Sequence, residues 1–202
     1  MAEITAAQVK ELRELTGAGM MDCKRALEEA DGDLDKAQEL LRAKGLADAG
    51  GRAGRSADQG IVESYIHFNN TVGALVELNC ETDFVANTEE FRALARDLAL
   101  HIASPSAPRY LTREEVPADV VDAERHIFEL QAKELGKPDT VIPTIVDGKM
   151  NAFYERTVLL DQKYVRDDSK TIAQLLDEVG ARVREKVAVR RFARFKLGEE
   201  SE

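Results

Sequence analysis

Residues 46–60 interrupt the chain with a run, LADAGGRAGRSADQG, that has neither helical nor strand periodicity. Its glycine, alanine, serine and aspartate content is typical of a linker or a flexible loop. We therefore predict three parts, a module at 1–45, a linker at 46–60 and a core domain at 61–202.

The segment before the linker has the pattern of three short amphipathic helices. Thr5 and Gln8 have the spacing of a capping box at the start of the first helix. Residues 16–19 separate it from a second helix at about 20–30, and the turn at 31–33 precedes a third helix that ends near Gly45. The predicted apolar positions of the first two helices are Val9, Leu12, Leu15, Met21, Ala26, Leu27 and Ala30.

The segment after the linker predicts an α+β domain with a small antiparallel sheet flanked by helices. Residues 61–68 and 72–80 favour strands, and Asn69-Asn70 between them favours a hairpin turn. A terminal strand is expected at 186–197, with Val187, Val189, Ala193, Phe195 and Leu197 on one face. Helical periodicity is expected at about 88–104, 119–135, 140–154 and 170–180.

The charge balance limits the classes of function. The 202 residues carry 28 basic and 38 acidic side chains, a net charge of −10, which argues against a protein that works mainly by neutralising phosphates. The N-terminus lacks the pattern of a signal peptide, and no apolar run approaches the roughly 18 residues of a membrane span. We expect a cytoplasmic protein that does not contact membranes.

The sequence contains no recognisable catalytic motif, nucleotide-binding glycine loop or metal-ligand spacing. Cys23 and Cys80 are interpreted as small packed side chains, and two cysteines make neither a disulfide framework nor a zinc site. The three histidines, His67, His101 and His126, are far apart in sequence. We predict no catalytic residue, no cofactor and no metal site.

The segment 182–196 is basic and contains Phe192 and Phe195. Aromatic side chains among arginines can stack on the bases of a nucleic acid. The alternative is a solvated strand face that pairs with carboxylates of the same protein. The sequence leaves the role of this segment open and favours the second interpretation.

Two short stretches are candidates for binding. In the stretch Thr82, Asp83, Phe84 and Val85, an acid and an aromatic lie in a predicted loop between a strand and a helix. Taken alone, the pattern favours Phe84 as a core residue and Asp83 as a helix cap. In the second stretch, adjacent methionines on a helix cannot both face one core, so Met20 or Met21 is expected on a surface suited to binding.

Three longer stretches resemble the bacterial translation elongation factor Ts family. They are VKELRELTGAGMMDCKRAL at Val9–Leu27 with DGDLDKAQELLRAKG after it, ELNCETDFVAN at Glu77–Asn87, and the ending SKTIAQLL…VAVRRFARFKLGE. The stretches occur in the family order, and the resemblance covers essentially the whole chain.

The resemblance implies a guanine-nucleotide exchange factor for elongation factor Tu rather than an enzyme. It implies that residues 1–45 form a module similar to ubiquitin-associated domains. Residues Thr82 to Val85, above all Asp83 and Phe84, would disturb the Mg²⁺ and phosphate site of the GTPase. The N-terminal module would dock on a helix of the GTPase through Leu12, Met20, Met21 and Lys24.

The chain lacks the second hairpin subdomain and the coiled-coil insertion of longer family members. It resembles the short form of the family, in which a second copy supplies the missing half, so we expect a homodimer. Two other functions remain open at this point. One is a nucleic-acid adaptor that uses residues 182–196, and the other is a helical adaptor whose module binds a ubiquitin-like partner.

Overall fold

The computed structural model describes residues 4–16, 18–43 and 54–199. Three helices form the N-terminal module, as predicted: α1 at Ala6–Thr16, α2 at Met20–Glu29 and α3 at Leu34–Ala43. They pack on one another around a small core. The predicted helix end at Gly45 and residues 46–53 of the predicted linker lie outside the described residues.

The local signals for the module are confirmed. The backbone N–H of Thr5 donates to Gln8 Oε1 at 3.0 Å, and the N–H of Gln8 donates to Thr5 Oγ1 at 3.3 Å, which is a capping box. Asp33 caps α3, because its Oδ1 accepts the N–H groups of Asp35 and Lys36 at 3.1 Å each. Each cap satisfies backbone donors that a helix start leaves unpaired.

A three-stranded sheet has the order β1-β2-β5, with β1 at Gln59–Ile66, β2 at Val72–Cys80 and β5 at Ala188–Lys196. β1 and β2 form the predicted hairpin, and Asn70 in its turn has a φ of 57°. The N–H of Leu197, just after β5, donates to the carbonyl of Thr71, just before β2. β5 therefore runs antiparallel to β2.

The first strand begins and ends two residues earlier than predicted, whereas the second strand has the predicted bounds. β1 begins within the predicted linker because Gly60, with a φ of 151°, lies against β2: a side chain there would approach the Leu78 carbonyl oxygen to 2.2 Å. The turn begins at His67, whose N–H donates to the Val72 carbonyl at 2.9 Å. Gly60, which falls within the predicted linker, is thus required inside a strand.

The segment after β2 is helical, whereas a loop was predicted for 81–87. α4 at Asp83–Ala86 is a single turn, and α5 at Glu89–Ile102 follows it. Thr88 caps α5, since its Oγ1 accepts the N–H of Phe91 at 3.3 Å. The apolar stripe of α5 is buried: Phe91, Leu94, Ala95, Leu98 and Ile102.

The remaining helices are α6 at Ala118–Glu134, α7 at Ile142–Thr157 and α8 at Ile172–Val183. Pro143 lies in the first turn of α7, where its missing N–H costs no hydrogen bond. Residues 157–168, for which the sequence pattern indicates extended or irregular structure, contain a short 3₁₀ turn and enter a hairpin of β3 at Lys163–Tyr164 and β4 at Asp167–Thr171. This second, two-stranded sheet was not predicted.

The described residues divide into two compact units. The first comprises the described parts of Met1–Glu63, Glu77–Ala95 and Gln174–Arg190, and the second those of Ser64–Val76, Arg96–Ala173 and Arg191–Glu202. The first unit contains the apolar core of the module, and the second contains a core around α6 and α7. The boundaries predicted at residues 45 and 60 stay a prediction, since residues 44–53 are not described.

Candidate functional site

The turn at α4 presents an aromatic side chain on a firmly held backbone. Thr82 caps the turn by accepting the N–H of Val85 on its Oγ1 at 3.3 Å. Val85 and Ala86 are buried, whereas Asp83 is exposed and the Phe84 side chain is 82% exposed. The interpretations of Phe84 as a core residue and of Asp83 as the cap are therefore wrong, because Thr82 is the cap and Val85 is the anchor.

The chain just before α4 is held by residues distant in sequence. The Glu185 carboxylate, in the connection between α8 and β5, accepts both backbone N–H groups of Glu81 and Thr82 at 3.0 Å. Glu81 Oε1 in turn accepts the N–H of Lys186 at 2.6 Å. Sequence reasoning missed these contacts, which join residues more than 100 positions apart.

Cys80 lies directly before this turn and is buried. Its Sγ donates to the Thr82 carbonyl at 3.1 Å, and burial, followed by the negative charge of Glu185, raises the pKa of the thiol to about 11. Burial also raises the pKa of Cys23, in α2. Both thiols are protonated near neutral pH and act as packed side chains, as predicted.

The N-terminal module places the predicted docking residues in two different environments. Met20 and Met21 are 56% and 62% exposed at the start of α2, and Lys24 lies one turn later with its Nζ 3.9 Å from Glu28. Leu12 is fully buried in the module core and cannot contact a partner directly. Its contribution is to support α1.

The apolar stripes of α1 and α2 differ from the predicted ones. Leu15 is 62% exposed, and Thr16 takes the buried position instead, with its hydroxyl bonded to the Leu12 carbonyl at 2.6 Å. In α2 the buried positions are Cys23, Ala26 and Leu27, and Ala30 directly after the helix is also buried, which leaves Met21 on the surface. Leu15, Met20 and Met21 are therefore exposed apolar side chains close together in the chain, on either side of the break between α1 and α2.

β5 carries several cations whose partners are carboxylates of the same chain. Arg190 Nε lies 3.6 Å from Glu77, and Arg194 Nη1 lies 2.6 Å from Glu199. Hydrogen bonding to Arg194, with the charges of Arg194 and Lys196, lowers the pKa of the Glu199 carboxyl. These pairs favour the interpretation of 182–196 as a strand face neutralised by its own protein.

The apolar face predicted for β5 is buried only in part. Val189 is buried, but Phe195 and Leu197 are 72% and 80% exposed. They line an open groove of about 590 Å³ together with Ile66 at the end of β1 and Leu75 in β2. This exposed apolar patch, Ile66, Leu75, Phe195 and Leu197, is called the sheet groove below.

His101 is 3% exposed, in α5. The Gln162 amide nitrogen donates to the carbonyls of Ser106 and Arg156, so its Oε1 faces His101 and accepts from His101 Nε2 at 2.8 Å. Burial lowers the pKa of this imidazole. The arrangement is that of a neutral structural histidine.

No cluster of three or more histidine, cysteine, aspartate or glutamate side chains with the geometry to hold a metal ion occurs among the described residues. Of the helices formed by the described residues, none is long and apolar enough to cross a membrane.

Comparison with known proteins gives matches over nearly the full chain. Residues 3–199 match the family model described as Elongation factor TS. The chain is 52% identical over 199 residues to Elongation factor Ts of Desulforamulus reducens, covering 98% of this chain and 91% of that protein. It is 54% identical over 196 residues to that of Geobacter metallireducens, covering 97% and 90% of the two chains. Over 197 residues it is 52% identical to that of Fervidobacterium nodosum, covering 98% and 100%.

Proposed function

The chain belongs to the elongation factor Ts family, and from this premise we propose that it is a guanine-nucleotide exchange factor for elongation factor Tu. It binds the GDP form of the GTPase during translation elongation, disturbs the Mg²⁺ and phosphate site and promotes GDP release.

The observation that carries the proposal is the exposure of Phe84. A large apolar side chain that is 82% exposed, on a turn anchored by buried Val85 and capped by Thr82, is suited to insertion into a partner. Asp83 beside it adds a negative charge that would repel phosphate and attract the groups that hold it. Thr82 to Val85 form the element that reaches the Mg²⁺ and phosphate site.

The mechanism is thermodynamic linkage rather than bond chemistry. A protein that binds the nucleotide-free GTPase more tightly than the GDP form weakens GDP binding by the same factor. Phe84 and Asp83 supply this difference in affinity if they occupy space that the GDP-bound arrangement fills. No covalent bond is made or broken, so the exchange requires no catalytic residue and no cofactor of its own.

The N-terminal module supplies docking affinity. Met20 and Met21 are flexible apolar side chains on the surface, and Lys24 follows them by one turn of α2. We assign the contact with a helix of the GTPase to these three residues, with exposed Leu15 as an added contact. Leu12 maintains the position of α1 from the core.

The sheet groove supports assembly of two copies. Phe195 and Leu197 are large, exposed and next to the exposed Ile66, and such a patch of clustered apolar side chains marks an interaction surface. A second copy of the chain, with its own groove, forms a self-complementary contact of the kind that two-fold dimers use. The functional assembly would contain two copies of the chain and two of the GTPase, in the cytoplasm and without direct contact to nucleic acid or membrane.

The experiment is stimulated release of a fluorescent GDP analogue from elongation factor Tu. The proposal expects the chain to accelerate release in a manner that saturates with its concentration. If release is no faster with the chain than without it, the proposed function is wrong.

A further inference from the structure

We propose that Glu185 is a positioning residue for Phe84: its carboxylate fixes the backbone from which the exposed aromatic projects. The inference rests on the proposed function, because it concerns the element assigned to act on the GTPase.

One carboxylate satisfies three donors at the base of the turn. Glu185 Oε2 accepts the N–H groups of Glu81 and Thr82, both at 3.0 Å. Glu185 Oε1 accepts the hydroxyl hydrogen of Thr82 at 2.6 Å. Hydrogen bonds to a charged acceptor are stronger than those between neutral groups, and three of them hold one short stretch of chain.

The hydrogen bond from the Thr82 hydroxyl to Glu185 orients the hydroxyl oxygen that caps α4. Because Thr82 gives its hydroxyl hydrogen to Glu185, a lone pair of the same oxygen is available to the N–H of Val85 at 3.3 Å. Glu185 therefore orients the cap of α4 through the Thr82 hydroxyl. The backbone of Phe84 lies between Thr82, which caps the turn, and Val85, whose N–H the cap accepts.

The contact is reciprocal. Glu81 Oε1 accepts the N–H of Lys186 at 2.6 Å and lies 3.3 Å from Arg55 Nη1. Lys186 Nζ donates to the Arg55 carbonyl at 2.9 Å. Residues 81–82 and 185–186 thus hold each other through side chain to backbone bonds in both directions, and we call this arrangement the carboxylate clamp.

The end of α8 places Glu185 for this role. Arg184 has a φ of 60°, and the N–H of Glu185 donates to the Gly180 carbonyl at 3.2 Å. This left-handed residue with a bond back across the last turn has the geometry of a Schellman motif. The backbone of Glu185 is therefore defined by the helix end rather than by a free loop.

Phe84 needs such a support because its own side chain has little packing. A side chain that is 82% exposed is aimed mainly by its backbone. An inserted aromatic side chain contributes to binding only when it is held in the position where it packs against its partner. Loosening the carboxylate clamp should therefore lower the rate of GDP release that Phe84 stimulates, although the aromatic side chain is still present.

The test compares Glu185→Ala and Glu185→Gln with a matched control, Glu90→Ala. Glu90 is also a carboxylate bound to α8, but its ion pair is with Arg182, at 3.0 Å, rather than with residues 81–82. We expect Glu185→Ala to lower the maximal stimulated rate of GDP release about tenfold, as a partial loss of the contacts of an aromatic anchor would. Glu185→Gln, which keeps an acceptor oxygen, should give an intermediate rate, and Glu90→Ala should leave the rate unchanged.

Two readouts separate positioning from a general loss of structure. In a Phe84→Ala background, Glu185→Ala should cause no further loss, because the group that it positions is gone. Amide hydrogen exchange should lose protection at Glu81 and Thr82 in Glu185→Ala while the amides of β2 keep theirs. The second readout does not depend on the GTPase.

The outcomes distinguish the inference from the function on which it rests. If the wild-type chain accelerates release and Phe84→Ala does not, but Glu185→Ala matches the wild type, the inference is wrong and the function stands. If Glu185→Ala lowers the rate further in the Phe84→Ala background, or protection is lost throughout the chain, Glu185 has a general structural role and the inference is overturned. If the wild-type chain does not accelerate GDP release, both the positioning role of Glu185 and the proposed function are wrong.

Discussion

Phe84 and Val85 are neighbours in one helical turn, and one is 82% exposed while the other is 8% exposed. The opposite environments follow from the cap, since the bond from the Val85 N–H to Thr82 Oγ1 fixes the turn with Val85 directed inward. A buried anchor next to an exposed aromatic gives a rigid projection on the surface. In the proposed function, this pair converts binding energy into displacement of the nucleotide.

Docking of the N-terminal module on the GTPase and displacement of GDP should be separable by mutation. Changing Met20 and Met21 together to serine removes apolar contact area, so it should raise the concentration of half-maximal stimulation about tenfold and leave the maximal rate unchanged. The measurement is a titration of stimulated GDP release. Ile127→Ser, at another exposed apolar position, serves as the control. A fall in the maximal rate with an unchanged midpoint would contradict the division of roles.

The sheet groove should control the oligomeric state. Phe195→Asp places a charge in the centre of an apolar contact, where an unpaired charge is strongly unfavourable, and should convert the dimer into a monomer in sedimentation equilibrium. Val165→Asp, in the turn between β3 and β4, should leave the mass unchanged. A wild-type chain that sediments as a monomer would remove the basis for the dimer.

His101 should make stability depend on pH. Burial lowers the pKa of the folded imidazole below the ordinary value of 6.5. As the pH falls below the unfolded pKa, the unfolded chain takes up a proton that the folded chain does not. The contribution to stability is therefore complete above pH 6.5 and is lost as the pH falls, at up to about 1.4 kcal/mol per pH unit.

Replacement of this histidine should reduce the pH dependence. The drop in the free energy of unfolding between about pH 7.5 and about pH 5.5 should be about 1 kcal/mol smaller in His101→Asn than in the wild type. His126→Asn, at an exposed histidine, should keep the full drop. Denaturant unfolding at the two pH values measures both. Equal drops in the wild type and His101→Asn would show that His101 is not the titrating group.

Arg184 gives a prediction of increased stability. Its φ of 60° lies in the left-handed region, where a residue with a side chain is strained by about 1 kcal/mol and glycine is not. Arg184→Gly should therefore raise the thermal midpoint by about 2–4 °C. Asn70→Gly, at a similar φ of 57°, should change it less because asparagine tolerates this conformation. A midpoint lowered by Arg184→Gly would contradict the assignment of strain.

Local patterns predicted the elements whose causes are local. The Thr5–Gln8 capping box, the Asp33 cap and the buried stripe of α5 depend on residues three or four positions apart, so the sequence contains the whole signal. The single turn of α4 is too short to have a periodicity, and a loop was the expectation. The exposure of Leu15 followed from Thr16, whose hydroxyl is satisfied within its own helix and can therefore be buried.

The remaining features depend on contacts between distant residues. Gly60 belongs to a strand only because β2 lies against it, and the sequence around it is that of a linker. The bond from Thr82 to Glu185 joins residues 103 positions apart, and nothing local marks Glu185 as its partner. The functional interpretation of Phe84 came from family resemblance. The residue pattern alone favoured Phe84 as a core residue, which could not contact a partner. Its observed exposure shows that the side chain is on the surface.

In the proposed function Phe84 displaces the nucleotide, and the maximal rate of GDP release from elongation factor Tu with saturating Phe84→Ala tests this role. We expect this rate to fall at least about tenfold while the thermal midpoint stays that of the wild type, since an exposed side chain contributes little to folding. Leu135→Ala, at a 70% exposed position, is the control and should retain the wild-type rate. A folded Phe84→Ala chain that stimulates GDP release as well as the wild type would show that Phe84 does not displace the nucleotide.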